Sequence, residues 1–124
     1  MINSTLQVDL SGQCGSQSLG YLPYSGTGGQ ADFVRAANRS RGGKAIIALL
    51  STAKDGTVSR IAPVLSPGTV VSTTQYDVDY IATEYGVVQL RGKSLHQRAQ
   101  LLISIAHPDF REELKSEARR MNLI

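Results

Sequence analysis

Two stretches of the 124-residue chain hold residue types capable of chemistry. The first is Tyr24-Ser25-Gly26-Thr27-Gly28-Gly29-Gln30, followed by Ala31-Asp32-Phe33-Val34-Arg35. Its glycines fall where a strand should end and a helix begin. Glycine accepts positive φ and lets a ligand come close to the backbone. A helix starting there aims its unpaired N–H groups, with partial positive charge behind them, at whatever fills the corner. A phosphate, a carboxylate or a developing oxyanion suits such a corner; so does a turn that only reverses the chain. The second stretch surrounds Glu84, between Tyr80-Ile81-Ala82-Thr83 and Tyr85-Gly86-Val87-Val88. A carboxylate beside apolar residues at a strand end is either paired or raised in pKa. Strand ends of open α/β sheets are where ligands gather. A glutamate that accepts from nearby backbone N–H groups and steadies a turn fits the same spacing.

The remaining composition narrows the classes. The length suits one domain with one core, and 41% hydrophobic residues fits a globular chain. A formal charge of +3, with no tryptophan and no basic run interleaved with aromatics, argues against nucleic acid as a partner. No apolar run is long enough to span a bilayer, and the N-terminus lacks the basic and apolar segments of a secretory signal. The single cysteine, Cys14, fits a reducing, cytoplasmic setting and reads as a small buried residue. His96 and His107 lie far from it in sequence, so no metal-ligand cluster is expected. His96 reads as a solvated helix residue and His107 as a hinge residue.

The elements that must position the loop and the acid follow from pattern. Residues 4–10 alternate, with Leu6, Val8 and Leu10 on one side and Thr5, Gln7 and Asp9 on the other, which predicts a half-buried strand with Asp9 on its solvent face. Ser11-Gly12-Gln13 is a turn, and residues 14–24 return as a strand or extended loop. After the glycines, Phe33, Val34, Ala36 and Ala37 make the apolar face of a short helix ended by Gly42-Gly43. Arg35, Arg39, Arg41 and Lys44 gather near that end, where the helix dipole favours cations. Residues 45–50 are a continuous apolar run, as in a strand covered on both faces. Lys54-Asp55-Gly56 is a turn, residues 57–65 a second strand, and residues 70–74, rich in β-branched side chains, a third. Ser94-Leu95-His96-Gln97 is a capping box opening a helix with the stripe Leu95, Ala99, Leu102, Ile105 and Ala106. Pro108 starts another, with Phe110, Leu114, Ala118 and Met121 facing inward.

Read in order, these segments resemble the C-terminal domain of the acetyl-CoA hydrolase/transferase family, which includes 4-hydroxybutyrate CoA-transferases. The matching pieces are Ile2-Asn3-Ser4, Val8-Asp9-Leu10-Ser11-Gly12-Gln13, the glycine stretch through Arg35, Gly42-Gly43-Lys44, Ser59-Arg60-Ile61, Asp77-Val78-Asp79-Tyr80, Thr83-Glu84-Tyr85-Gly86, Leu90-Arg91-Gly92-Lys93 and Ile105-Ala106-His107-Pro108-Asp109-Phe110-Arg111. They run over nearly the whole chain. The resemblance implies an α/β fold, an open mixed sheet with packed helices of the NagB/RpiA/CoA transferase-like kind, whose last two helices cover one face. It implies transfer of CoA between an acyl-CoA and a carboxylic acid through a glutamyl-CoA thioester, with CoA as substrate and no other cofactor. It implies that Gly26, Thr27, Gly28, Gly29 and Gln30 bind the acyl group and stabilise its oxyanion, and that Glu84 is a supporting site carboxylate.

The resemblance carries one large departure. The family's nucleophilic glutamate lies upstream of the region that this chain matches, and no residue here stands in its context. Residues 1–124 are therefore expected to be a C-terminal domain from a longer enzyme, inactive alone, with the N-terminal half of the same enzyme as partner and a homo-oligomer as the assembly. A hydrolase half, with water as acceptor, and a stand-alone CoA-binding module are the alternatives. Ala36, often glycine in the family, and Gln75, often basic, bear on the substrate.

Overall fold

The computed structural model describes residues 1–26 and 28–124. In chain order the elements are β1 (Ile2–Ser4), β2 (Gln7–Asp9), β3 (Cys14–Gly15), β4 (Ser18–Leu19), β5 (Leu22–Pro23), α1 (Gln30–Arg39), β6 (Ile46–Ala48), β7 (Thr52–Ala53), β8 (Val58–Ser59), β9 (Ile61–Ala62), β10 (Tyr80–Thr83), β11 (Gly86–Gln89), α2 (Leu95–Ser104) and α3 (Pro108–Arg120). The main sheet has the order β1-β6-β10-β11. Its first three strands are parallel, and β11 closes antiparallel on β10 through a tight hairpin. A second sheet, β3-β2-β9, pairs β2 parallel to β9 and antiparallel to β3. The sheet is thus mixed and open, as expected, although by a different route: residues 45–50 and 57–65 do not pair with each other as neighbours.

Register explains which faces are buried. Ile47 and Ile81 are Cα partners, both are buried, and they share one core with Val34 of α1, Leu102 of α2 and Leu114 of α3. On the opposite face Ile46 and Tyr80 stay half-buried, while Ile2 and Val87 are 75% and 60% exposed. The run 45–50 is therefore not covered on both faces; Leu50 stands 64% exposed. Its continuous hydrophobicity records an apolar second face, not a covered one.

Three further expectations are corrected. Residues 4–10 do not form one strand. The chain leaves the main sheet at Thr5 and enters the second at Gln7, and Thr5, Gln7 and Asp9 are all buried while Leu6 is half-buried. Asp9 is not on a solvent face: its carboxylate accepts from the N–H and hydroxyl of Ser11 (2.9 and 2.7 Å) and from the N–H and side-chain amide of Gln13 (3.0 and 2.7 Å). A buried polar group is tolerable when every bond is made, so alternation of polar and apolar residues did not report the buried side. Residues 70–74 form no strand; only Cys14 and Thr73 make an isolated bridge. Helix α1 buries Gln30 and Val34, and Phe33 is 59% exposed.

The C-terminal helices match their local signals. Ser94 and Gln97 make both bonds of the capping box (3.2 and 2.9 Å). His107 caps α3, its Nδ1 accepting the Asp109 N–H at 3.1 Å ahead of Pro108. Arg98 ties α2 to two loops, donating to the carbonyls of Ser11 (2.9 Å), Gln75 (2.7 Å) and Lys93 (3.2 Å).

Candidate functional site

The glycine loop ends in the first turn of α1 with Gly29 as N-cap and no side chain capping the helix. Gly26 and Gly28 are exposed. Gly28 has φ of +60°, and a Cβ built there would meet nothing within 4 Å. Backbone conformation, then, and not crowding, requires glycine at this point. A cavity of about 310 Å³ lies against the loop, lined by its glycines, Ser25 and Gln30 and by Asn3, Ser16, Gln17 and Phe33. Thr27 lies outside the described residues.

Gln30 is unlike the other loop residues. It is 8% exposed, and its side-chain amide is used internally. The oxygen accepts from the hydroxyls of Ser16 and Thr73, both at 2.8 Å, and the nitrogen donates to the Ser4 carbonyl at 2.7 Å. Ser16 also donates to Thr5 Oγ1 at 2.9 Å. This network joins the start of α1 to the end of β1 and to the 70–74 segment. Sequence reasoning placed Gln30 correctly but missed Thr5, Ser16 and Thr73, because isolated hydroxyl residues give no periodic signal.

Glu84 occupies the two-residue turn between β10 and β11. Its Oε1 accepts the Ser51 N–H at 2.8 Å. Slight burial pushes the carboxyl up, but hydrogen bonds from its own N–H and from Ser51, together with charge on His107, outweigh that and hold the pKa below the ordinary glutamate range. The turn is pinned from below. Thr83 Oγ1 donates to the Ile105 carbonyl at 2.6 Å and accepts the Tyr85 N–H at 3.0 Å. The Tyr85 ring meets His107 edge-on at 5.5 Å, with the Arg111 guanidinium 5.5 Å over its face.

Loop and acid stand at one end of the main sheet. Ser4, Ala48 and Ala82 are register partners across β1, β6 and β10. Gln30 binds the Ser4 carbonyl, and Glu84 lies just beyond Ala82, so roughly 10 Å, two strand spacings, separates their anchor points. This is the carboxyl end of parallel strands, where open sheets bind ligands. Glu84 does not line the loop cavity, however; the two features neighbour each other without sharing a cleft in the described residues. Cys14 takes no part: burial, and then nearby Asp9, push its thiol far up against a weaker opposing bond from Thr5, so it stays protonated. Among the described residues no group of three His, Cys, Asp or Glu side chains is placed to hold a metal.

A mixed open sheet with helices packed on it, carrying a glycine loop and an acid at its parallel carboxyl end, is a CoA-transferase-like layout. Residues 1–118 match the family model for the acetyl-CoA hydrolase/transferase C-terminal domain, and the chain belongs to that family. It is 63% identical over 123 residues to the succinyl-CoA:cyclohexane-1-carboxylate CoA transferase of Geobacter metallireducens, covering 99% of this chain and 28% of that protein. It is 57% identical to the 4-hydroxybutyrate coenzyme A transferase of Clostridium kluyveri, again over 28% of the relative and 96% of this chain. Among solved structures it resembles RipA from Yersinia pestis, with TM-score 0.92, 51% identity and coverage of 99% of this chain and 28% of that one. The chain therefore spans little more than a quarter of the length of the relatives it matches.

Proposed function

We propose that residues 1–124 are the C-terminal domain of a CoA-transferase and supply its acyl-binding corner. In this reading a glutamate outside the chain attacks the thioester carbonyl of an acyl-CoA. CoA thiolate leaves and a mixed anhydride forms. The thiolate then attacks the glutamyl carbonyl, releasing the first acid and leaving a glutamyl-CoA thioester, which a second carboxylate resolves by the reverse steps. Each acyl transfer passes through an oxyanion that needs preorganised donors. The start of α1 and the loop of Gly26, Gly28 and Gly29 fit that need, since N–H groups and the positive end of the helix dipole converge on an open cavity. Glu84, held ionised and fixed by the Ser51 N–H, positions the carboxylate partner or the nucleophile through neighbouring groups. Gln30 holds α1 in place through its buried amide and does not touch substrate. The half-open sheet face around Ile2, Ile46 and Val87 is where the rest of the enzyme packs.

The observation that carries this reading is an uncapped helix start behind exposed glycines, in a chain of this family. The full-length protein is incubated with an acyl-CoA and no acceptor, then digested for peptide mass analysis. A CoA adduct on a glutamate outside residues 1–124 is expected. An adduct on Glu84, or Glu84-dependent CoA exchange by the isolated chain, refutes the assignment. A hydrolase reading, favoured by 32% identity to the acetyl-CoA hydrolase of Candida albicans, predicts free acid release without acceptor.

A further inference from the structure

A larger cavity, about 500 Å³, lies beside the one at the glycine loop, between β2, the β7–β8 hairpin and Tyr24. Lys54 and Arg60 line it, and no aspartate or glutamate does. Neither cation forms an ion pair among the described residues. The Arg60 Nε is buried and has no acceptor. A buried guanidinium nitrogen without a partner is costly, and a bound anion is what removes that cost. Leu6 and Tyr24 give the same cavity an apolar wall.

The two cavities are joined by the chain itself. Ser4 and Ser25 line the first, Leu6 and Tyr24 the second. Arg60 also neighbours the acid: its N–H donates to the Ser51 carbonyl at 2.8 Å, and the Ser51 N–H binds Glu84. A long ligand with a reactive acyl end and an anionic far end would lie across all three features.

We propose that the cavity of Lys54 and Arg60 seats the phosphorylated nucleotide end of the CoA thioester, with the pantetheine arm running past Tyr24 and Ser25 to the glycine loop. This rests on the CoA-transfer reading above. Arg60 offers planar, charge-assisted donors suited to phosphate oxygens, and Lys54 a point charge on an exposed turn.

The test uses the full-length protein with Arg60→Met, Lys54→Asn and the double variant. Lys54 has φ of 51°, which asparagine tolerates, so the lysine change guards against misfolding of the arginine variant. Binding of adenosine 3′,5′-bisphosphate is measured by calorimetry, and transfer kinetics with acyl-CoA and with acyl-pantetheine, which lacks the nucleotide. Bisphosphate affinity is expected to fall about tenfold or more in the double variant, with a matching rise in KM for acyl-CoA. Acyl-pantetheine kinetics and the KM of the carboxylate acceptor should not move. No bisphosphate binding by wild type, equal binding by wild type and variant, or equal losses with both thioesters overturns the proposal. A rise confined to the acceptor KM overturns it too, by making the pocket an acceptor site. Arg60-dependent bisphosphate binding in a protein that transfers no CoA supports the pocket and sinks the transferase reading instead.

Discussion

The glycine loop and the Glu84 turn stand at the same end of the main sheet but are held in opposite ways. The loop is exposed and carries no side-chain cap, and a buried side-chain network under it does the fixing: Gln30 to Ser16, Thr73 and the Ser4 carbonyl. The Glu84 turn is fixed by backbone. A tight hairpin and the Ser51 N–H aim its carboxylate, and the Thr83 hydroxyl clamps the turn to the end of α2. A corner that must present N–H groups to a ligand cannot spend them on its own cap, so its anchors lie one layer deeper. A carboxylate that must present oxygen to a ligand can be aimed by one backbone bond and keep its other oxygen available.

This difference predicts which side fails when disturbed. The largest effect is that of removing the rest of the enzyme. The isolated chain should fold into the described core yet show no CoA exchange in an acyl-CoA and carboxylate assay. Next, Gln30→Leu leaves two buried hydroxyls and a carbonyl without their partner. It should destabilise the protein by about 2–4 kcal/mol in denaturant titration and lower kcat by about 100-fold through misplacement of the helix start. Retained activity with lost stability would make the network purely structural. Glu84→Gln keeps the turn and one acceptor oxygen. Its stability should change by less than about 0.5 kcal/mol, while kcat/KM falls about 10- to 100-fold. Gly28→Asn, compatible with positive φ, should cost only a few tenths of a kcal/mol, whereas Gly28→Val should cost about 1–2 kcal/mol from backbone strain. Thermal melts of the pair isolate conformation from crowding, since open space surrounds that position.

The smallest expected effect is electrostatic. Glu84 is held below its ordinary pKa in the folded protein. Its stabilising contribution is therefore complete above the unfolded value of about 4.3 and fades as pH falls through the lower folded value. Comparing wild type with Glu84→Gln across that acidic window should show the wild type losing its small advantage. A widening gap at low pH would reverse the sign and refute the account of the Ser51 bond.

Where local chemistry alone decides structure, the chain was readable. The Ser94 capping box, Pro108 at the start of α3, the Lys54-Asp55-Gly56 turn and the passage from glycines into α1 all stand where spacing placed them. Burial was less readable. Val34 was expected inside and is, but Phe33 is exposed while Gln30 takes the buried place one turn before Val34. Residues 70–74 have the side chains of a strand without a neighbour to pair with, since their one bridge goes to Cys14.

The amino-acid order was enough to specify the helix ends, the glycine corner, the acid beside a strand end and the family, because each depends on contacts within a few residues or on a pattern of identities. Folding in three dimensions alone decided that Thr5, Gln7 and Asp9 lie inside, that Gln30 serves the scaffold, and that Arg60 faces a cavity without a counter-charge. Those outcomes depend on hydrogen bonds and charges contributed by segments distant in the chain, as with Gln30 and Thr73, 43 positions apart. Hydrophobicity read one residue at a time does not register a polar group whose partners arrive from elsewhere.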